Sequence, residues 1–566
     1  MSIAPSSLLL STQHEPTHIT TRPCANFPPS FWGDTFLQYH SHSLEVNDNT
    51  KELAQKLKEE VKMMFQSSIK DIKQKLNLID SLQRFSVSYL FKQEINNLLE
   101  QIHHSFIEDK TIVEDNNYHS LALLFRLLRQ QGYRISSDIF KKLKNEQGNF
   151  NETLDNDIEG LCSLYEAAQM RTHGDDIMEE ICDFSKTHLK SLITQLEPSL
   201  AGQVNHCLNH PLNKSLPRFE AKYHISVYEQ DCSHDETLLT FAKVKFNILQ
   251  RMHQKEIGTI TKWWKKSNLE QKVPHSRNRI VEPYLWSLAK SHLPEYINGR
   301  IILGKLIAII ALIDDTYDAY GTIEELQLFT EAFQRWDIRL TESLPKSIKV
   351  IFEAILELCE EVEELTTESG NSKFVVPHFK QAICNLVKGY LVEAKWCNEG
   401  YILTYDEYKI NGVFTSCCPI FVTTFVCLGD FATKDVFDWI LSNPDILRAA
   451  SVIGRVLDDI ASHKFEQQRV HVASSVECCM NQYRISEAEA YNLIHKDVED
   501  CWKVVNEECL KKNDIPKIAL DCVANFARMS ELSYENHKDK FTNGELLKDY
   551  VSSLLVDPFC LDQIVI

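Results

Sequence analysis

The chain of 566 residues is long enough for two or more hydrophobic cores, because single cores stop growing near roughly 250–300 residues. Its 17 glycines and 17 prolines are each about 3% of the chain, below the usual ~7% and ~5%, which favours an all-α protein. A formal charge of −20 excludes nucleic acid and anionic membrane surfaces as partners, since phosphate binding needs a basic face, and leaves an anionic substrate only where cations accompany it.

The opening, MSIAPSSLLLSTQHEPTHITTRP, carries Glu15 and no basic residue before Arg22. That pattern fits neither a secretory signal nor an arginine-rich transit peptide, so a cytosolic protein is expected. Leu53, Leu57, Val61 and Phe65 recur every four residues among Lys and Glu, the mark of an amphipathic helix. Similar periodicity continues along the chain without a fixed repeat. A polar, weakly patterned stretch, YEQDCSHDE (Tyr228 to Glu236), predicts a boundary, with a first domain over 1–230 and a second over 231–566. Seventeen cysteines include the adjacent pairs Cys417-Cys418 and Cys478-Cys479 but no zinc spacing, and are expected as reduced, mostly buried thiols.

In the second half, SRNRIVEPYLW places Arg277 and Arg279 in a loop; their guanidinium forks suit phosphate oxygens. The apolar run from Ile301 to Ile313 contains Lys305 and falls short of the about 20 residues that span a bilayer. It leads into LIAIIALIDDTYDAYGT, which ends in Asp314, Asp315 and Asp318. On a helix Asp314 and Asp318 share a face, with Asp315 beside them. Carboxylates beside so apolar a wall are costly unless paired, protonated or metal-bound. By itself D-D-x-x-D also suits a solvated acidic helix end. A second stretch, VIGRVLDDIASHKFEQQR, sets Asp458, Ser462 and Glu466 on one helical stripe, with Arg455 one turn earlier. Such an oxygen set suits a hard divalent cation, Mg²⁺ above all. Ser474 with Glu477 and Ser486 with Glu489 have the spacing of capping boxes. Two acidic stripes that face each other across a helical bundle, with arginines beside them, would form a diphosphate clamp.

The opening RPCANFPPSFWGD, then RNR, DDTYD and DDIASHKFE, in this chain order, resemble the motifs of plant terpene synthases, and the chain is similar to the angiosperm sesquiterpene branch from end to end. In that opening Arg22-Pro23 stands before Trp32, where plastid monoterpene relatives carry paired arginines. The resemblance implies two helical domains: an N-terminal helical barrel without catalysis, lacking an intact D-x-D-D, and a C-terminal class I (isoprenoid synthase) bundle. It implies that Asp314 and Asp318 bind two Mg²⁺ ions, that Asp458, Ser462 and Glu466 bind a third, and that Mn²⁺ is a possible substitute. Asp315 and Glu393 would stand behind these ligands. Arg277, Arg279 and Arg455 would hold the diphosphate, and Trp286, Tyr534 and Asp539 would line the pocket and handle carbocations. Thr415 and Ser416 resemble a pocket wall at a helix break, although ordinary helix-end residues suit the same text. Asn278 in place of the usual aspartate, and Lys540-Phe541 where relatives often carry Gly-Tyr, depart from the pattern. The implied activity is that of a monomeric sesquiterpene synthase ionising farnesyl diphosphate. Alternatives are activity on geranyl diphosphate, an inactive relative, or a non-catalytic helical scaffold. A chain-elongating prenyltransferase would need a second D-D-x-x-D, where this chain has DDIAS.

Overall fold

Scarce helix breakers and near-continuous apolar periodicity let this backbone satisfy its hydrogen bonds within helices. The computed structural model describes residues 25–561 apart from 42–44, 67–71, 109–116, 155–156, 369 and 513. Among the described residues there is no strand, only an isolated bridge between Lys144 and Phe150. The all-α expectation holds. Arg22-Pro23 and the residues before them lie outside the described residues.

The helix expected over Leu53 to Phe65 is α1, Asp48–Gln66, which buries Leu57 and Val61. It shares a first core with α2 (Tyr118–Gln130) and α3 (Ile158–Ala168). Because α2 is buried on almost every side, its arginines need internal partners. Arg126 pairs with Asp80, and Arg129 reaches Asp175 at 2.6 Å.

Next comes α4, Glu236–Ser267, capped by Asp235, which accepts the Leu238 N–H at 2.8 Å. It ends where Asn268 turns left-handed at φ 54°. Leu238 to Phe246 pack in the first core, whereas Ile257 to Trp264 pack in a second. At 1.5 Å per residue, a helix of this length spans about 48 Å, so one rod runs through both cores. The polar stretch from Tyr228 to Glu236 does interrupt the helices, after Gln230. Core membership nevertheless changes later, inside α4, because a local break ends a helix while packing decides which core it serves. The ends of the chain also cross over: Phe36 joins the second core and Phe559 packs on the first.

The second core gathers α5 (Val281–Lys290), α6 (Ile297–Ala319), α7 (Ser372–Glu399), α8 (Tyr405–Thr415), α9 (Cys418–Cys427), α10 (Asp445–Glu466), α11 (Glu487–Leu510) and α12 (Lys517–Ser533). Residues 294–319, α6 with the turn before it, are longer than the apolar run suggested and sufficient in length and composition to cross a bilayer. Yet 83% of their most apolar window is buried against neighbouring helices, as in a core helix. Both expected capping boxes form, at Ser474 with Glu477 and Ser486 with Glu489. Cys418, Cys478 and Cys479 are buried free thiols, and Cys417 is a partly buried one. The two units are tied by Asn506 on α11, whose amide donates to the carbonyls of Gln169 (2.8 Å) and Arg171 (2.9 Å).

A fully buried ion pair fixes α4 against α6. Arg300 donates to Glu256 at 2.8 and 2.7 Å and to the carbonyls of Ser291 and Leu293, while the Tyr284 hydroxyl donates to Glu256 at 3.0 Å. Removing one charge from such a pair strands the other. Glu256→Gln is expected to lower stability by about 3–5 kcal/mol, measured by denaturant unfolding. A loss below about 1 kcal/mol would mean that the pair does not anchor the junction.

Candidate active site

The C-terminal end of α6 and the C-terminal half of α10 open onto one cavity of about 570 Å³, lined by Asp314, Asp318, Asp458, Ser462 and Glu466 among others. The two acidic stripes predicted from spacing are therefore brought together. Asp315 turns inward instead, 1% exposed, where it accepts the Arg277 backbone N–H at 2.6 Å and its guanidinium at 2.8 Å. Asp459, although buried, lines the cavity and accepts from Arg455 at 2.8 Å and from the Ser475 N–H at 3.1 Å.

Concentrated carboxylates in a low dielectric oppose one another's ionisation. Burial pushes Asp458 up to about 7; Arg455 works against that rise, while Asp539, Asp459 and Asp314 add to it. Burial, followed by Asp318, holds Glu466 well above the ordinary carboxylate range. Glu393 on α7 is pushed up to about 7, mainly by burial. It accepts from Thr415 Oγ1 at 2.7 Å and Asn411 Nδ2 at 3.1 Å. Ser462 donates to Glu466 at 2.9 Å.

Arginines supply the counter-charge. Arg277 reaches Asp314 at 2.6 Å and Thr542 Oγ1 at 3.2 Å, and Arg455 reaches Asp458 at 2.6 Å. Arg469, which the motifs did not bring out, pairs with Asp318. Its only signal in sequence is its place three residues after Glu466. Arg279, expected at the diphosphate, is placed otherwise: its donors go to the carbonyls of Phe541, Thr542, Asn278 and Pro28, and it does not line the cavity. Main-chain carbonyls claim all of its donating nitrogens, so it clamps the closing loop and the opening segment together.

Behind the polar mouth lies an apolar chamber of about 110 Å³, which shares Arg277, Asp314, Arg455, Asp458 and Asp539 with it. Trp286, Phe421, Phe526, Tyr534 and Phe541 form aromatic walls. Burial first, then the charge of Asp458, holds the Tyr534 phenol well above the usual range. Thr415 and Ser416 also line the chamber, where α8 gives way to α9 through a left-handed Cys417 at φ 65°. There Ser416 Oγ donates to the Val413 carbonyl at 2.9 Å, so the helix break suggested by the sequence is physical. Phe27 packs against Phe465, and its ring lies 4.7 Å from the Arg277 guanidinium, a contact no spacing rule identifies. Of the departures, Lys540 folds back to Glu535 at 2.9 Å, and the Asn278 carbonyl accepts from Arg279.

A family model described as "Terpene synthase, N-terminal domain" matches residues 31–208, and one described as "Terpene synthase family, metal binding domain" matches residues 265–504. The chain belongs to the terpene synthase family. It is 44% identical to the (-)-germacrene D synthase of Vitis vinifera over 99% of this chain and 100% of that one. To the valencene synthase of the same plant it is 41% identical, over 95% and 96%. Among solved structures, limonene synthase with 2-fluorolinalyl diphosphate superposes with a TM-score of 0.88 at 29% identity, covering 95% of this chain and 100% of that one. Isoprene synthase from grey poplar, in complex with three Mg²⁺ ions and dimethylallyl-S-thiolodiphosphate, does so at 0.85 and 30% identity, over 91% and 98%.

The donor set of this terpene synthase fits divalent metal. It is all oxygen, and burial holds Asp458 and Glu466 above the ordinary carboxylate range. Among the described residues no three carboxylates, imidazoles or thiols converge on one point. That suits ions that retain waters and take phosphate oxygens, rather than a closed protein cage. Arg469 occupies Asp318 in competition with such an ion. Arg469→Gln is expected to tighten divalent-cation binding without diphosphate by about 1 kcal/mol, or roughly fivefold, in titration calorimetry. Equal or weaker binding would show that the pair does not compete.

Proposed function

We propose that this enzyme ionises farnesyl diphosphate with the help of Mg²⁺ and cyclises the resulting cation to a sesquiterpene. The observation that carries this reading is the junction of the two spaces: opposed carboxylate stripes flanked by arginines open directly into an aromatic chamber. Relatives that are 40–41% identical over about 95% of the chain and are named as sesquiterpene synthases or probable ones support the fifteen-carbon substrate.

The diphosphate enters the polar mouth and the prenyl chain enters the chamber. Asp314 and Asp318 would hold ions on one rim, and Asp458, Ser462 and Glu466 on the other. Mg²⁺ bound there would supply positive charge against the departing diphosphate. Arg277 and Arg455 line both the mouth and the chamber, where their N–H groups can donate to phosphate oxygens. The allylic C–O bond breaks with both electrons passing to diphosphate, which leaves an allylic cation. Arg279 acts indirectly, by holding the loop from Phe541 to Thr542 and the segment at Pro28 over the mouth. Together with Phe27 and Phe541 they exclude water, which would otherwise quench the cation. Ring faces of Trp286 and Tyr534 stabilise positive charge, and Asp539 stands where a proton can be taken up. Asp315 and Glu393 orient Arg277 and Thr415 respectively. The compartment we propose is the cytosol, and the working form a monomer.

Purified protein incubated with farnesyl diphosphate and Mg²⁺ is expected to release a sesquiterpene, identified by gas chromatography and mass spectrometry and abolished by EDTA. Asp314→Asn is expected to lower kcat by at least about 10²-fold, with an unchanged circular dichroism spectrum. Turnover of geranyl diphosphate alone would overturn the substrate length, and Asp314→Asn turnover equal to wild type would overturn the metal assignment.

A further inference from the structure

Lys290 ends α5, one turn beyond Trp286 and on the same face. It is fully buried, and its Nζ has no hydrogen-bond partner. The titratable groups facing it are the thiols of Cys418 on α9 and Cys522 on α12, each pushed up to about 12 by burial and therefore neutral. Burial pushes the Lys290 ammonium down from the usual lysine range, and these two thiols work against that fall. What remains for the charge is aromatic: Nζ lies 4.4 Å from the centroid of Phe526 and 5.8 Å from that of Phe421. Both rings line the chamber, whereas Lys290 does not. The amine thus stands behind the wall.

Phe526 has no freedom to turn away. A Cβ on Gly454 of α10 would fall 2.4 Å from its Cε1, so the glycine marks how closely the ring is seated. The Phe421 and Phe526 centroids are 6.0 Å apart, and Trp286 packs on Phe526 at 5.3 Å.

We propose that Lys290 is a specificity-determining residue that sets, through the rings of Phe526 and Phe421, where positive charge rests in the chamber. An ammonium on one side of a ring draws π density toward itself and places a positive potential on the other side. The substrate cation then finds this wall less favourable than the side at Trp286 and Tyr534. Which carbon carries the charge when a proton is lost decides the product, so the residue acts on product choice without touching substrate. This inference rests on the carbocation chemistry proposed above.

The test is the product distribution of Lys290→Met with farnesyl diphosphate and Mg²⁺. Methionine keeps the length of the side chain and removes the charge. The ratio of the main product to the next is expected to change by about threefold or more, with KM held within about twofold and no fall in Tm. In a background carrying both Phe421→Leu and Phe526→Leu, Lys290→Met is expected to leave the ratio unmoved, because the rings that transmit the effect are gone. An unchanged ratio in the single variant, or an equal change in both backgrounds, would overturn the proposal. Should the methionine variant misfold, Lys290→Leu gives the same readout and the same criterion. Absence of any wild-type product from allylic diphosphates would instead overturn the reading on which the inference rests.

Discussion

Like-charged carboxylates facing each other in a low-dielectric cleft are unstable without cations, and the second unit is arranged around that fact. Asp314 and Asp318 come from one helix and Asp458 and Glu466 from another, so rigid packing of α6 and α10 keeps them opposed. Arg277, Arg455 and Arg469 lie against the carboxylates and supply that positive charge.

The division of labour among the paired acids follows from helical geometry. Asp315 and Asp459, both buried, hold Arg277 and Arg455 in place. Their neighbours Asp314 and Asp458 line the cavity more openly. A helix offers both roles to consecutive positions because successive side chains are about 100° apart. One acid orients the arginine while the next faces the ligand space.

Closure depends on distant parts of the chain meeting at one arginine. Arg279 gathers the Pro28 carbonyl from the opening segment and those of Phe541 and Thr542 from the closing loop. Phe27 and Phe541 then lie over Arg277, with ring centroids 4.7 and 5.8 Å away. A charged mouth and an aromatic-walled chamber thereby meet at the shared residues Arg277, Asp314, Arg455, Asp458 and Asp539, as a reaction that separates an anion from a cation requires.

Sequence by itself determined the helical class, the capping boxes, and the two acidic stripes, because each is a matter of spacing along one helix, and helical spacing is local. It also marked Arg277 and Arg455 as cations near those stripes. Tertiary structure alone decided that the stripes face each other, that Arg279 clamps carbonyls while Arg277 meets the cavity, and that α4 serves two cores. It alone brought Phe27 and Arg469 to the mouth and set Lys290 behind two aromatic rings. Those outcomes depend on contacts between residues far apart in the chain, and no local period records which helix will pack on which.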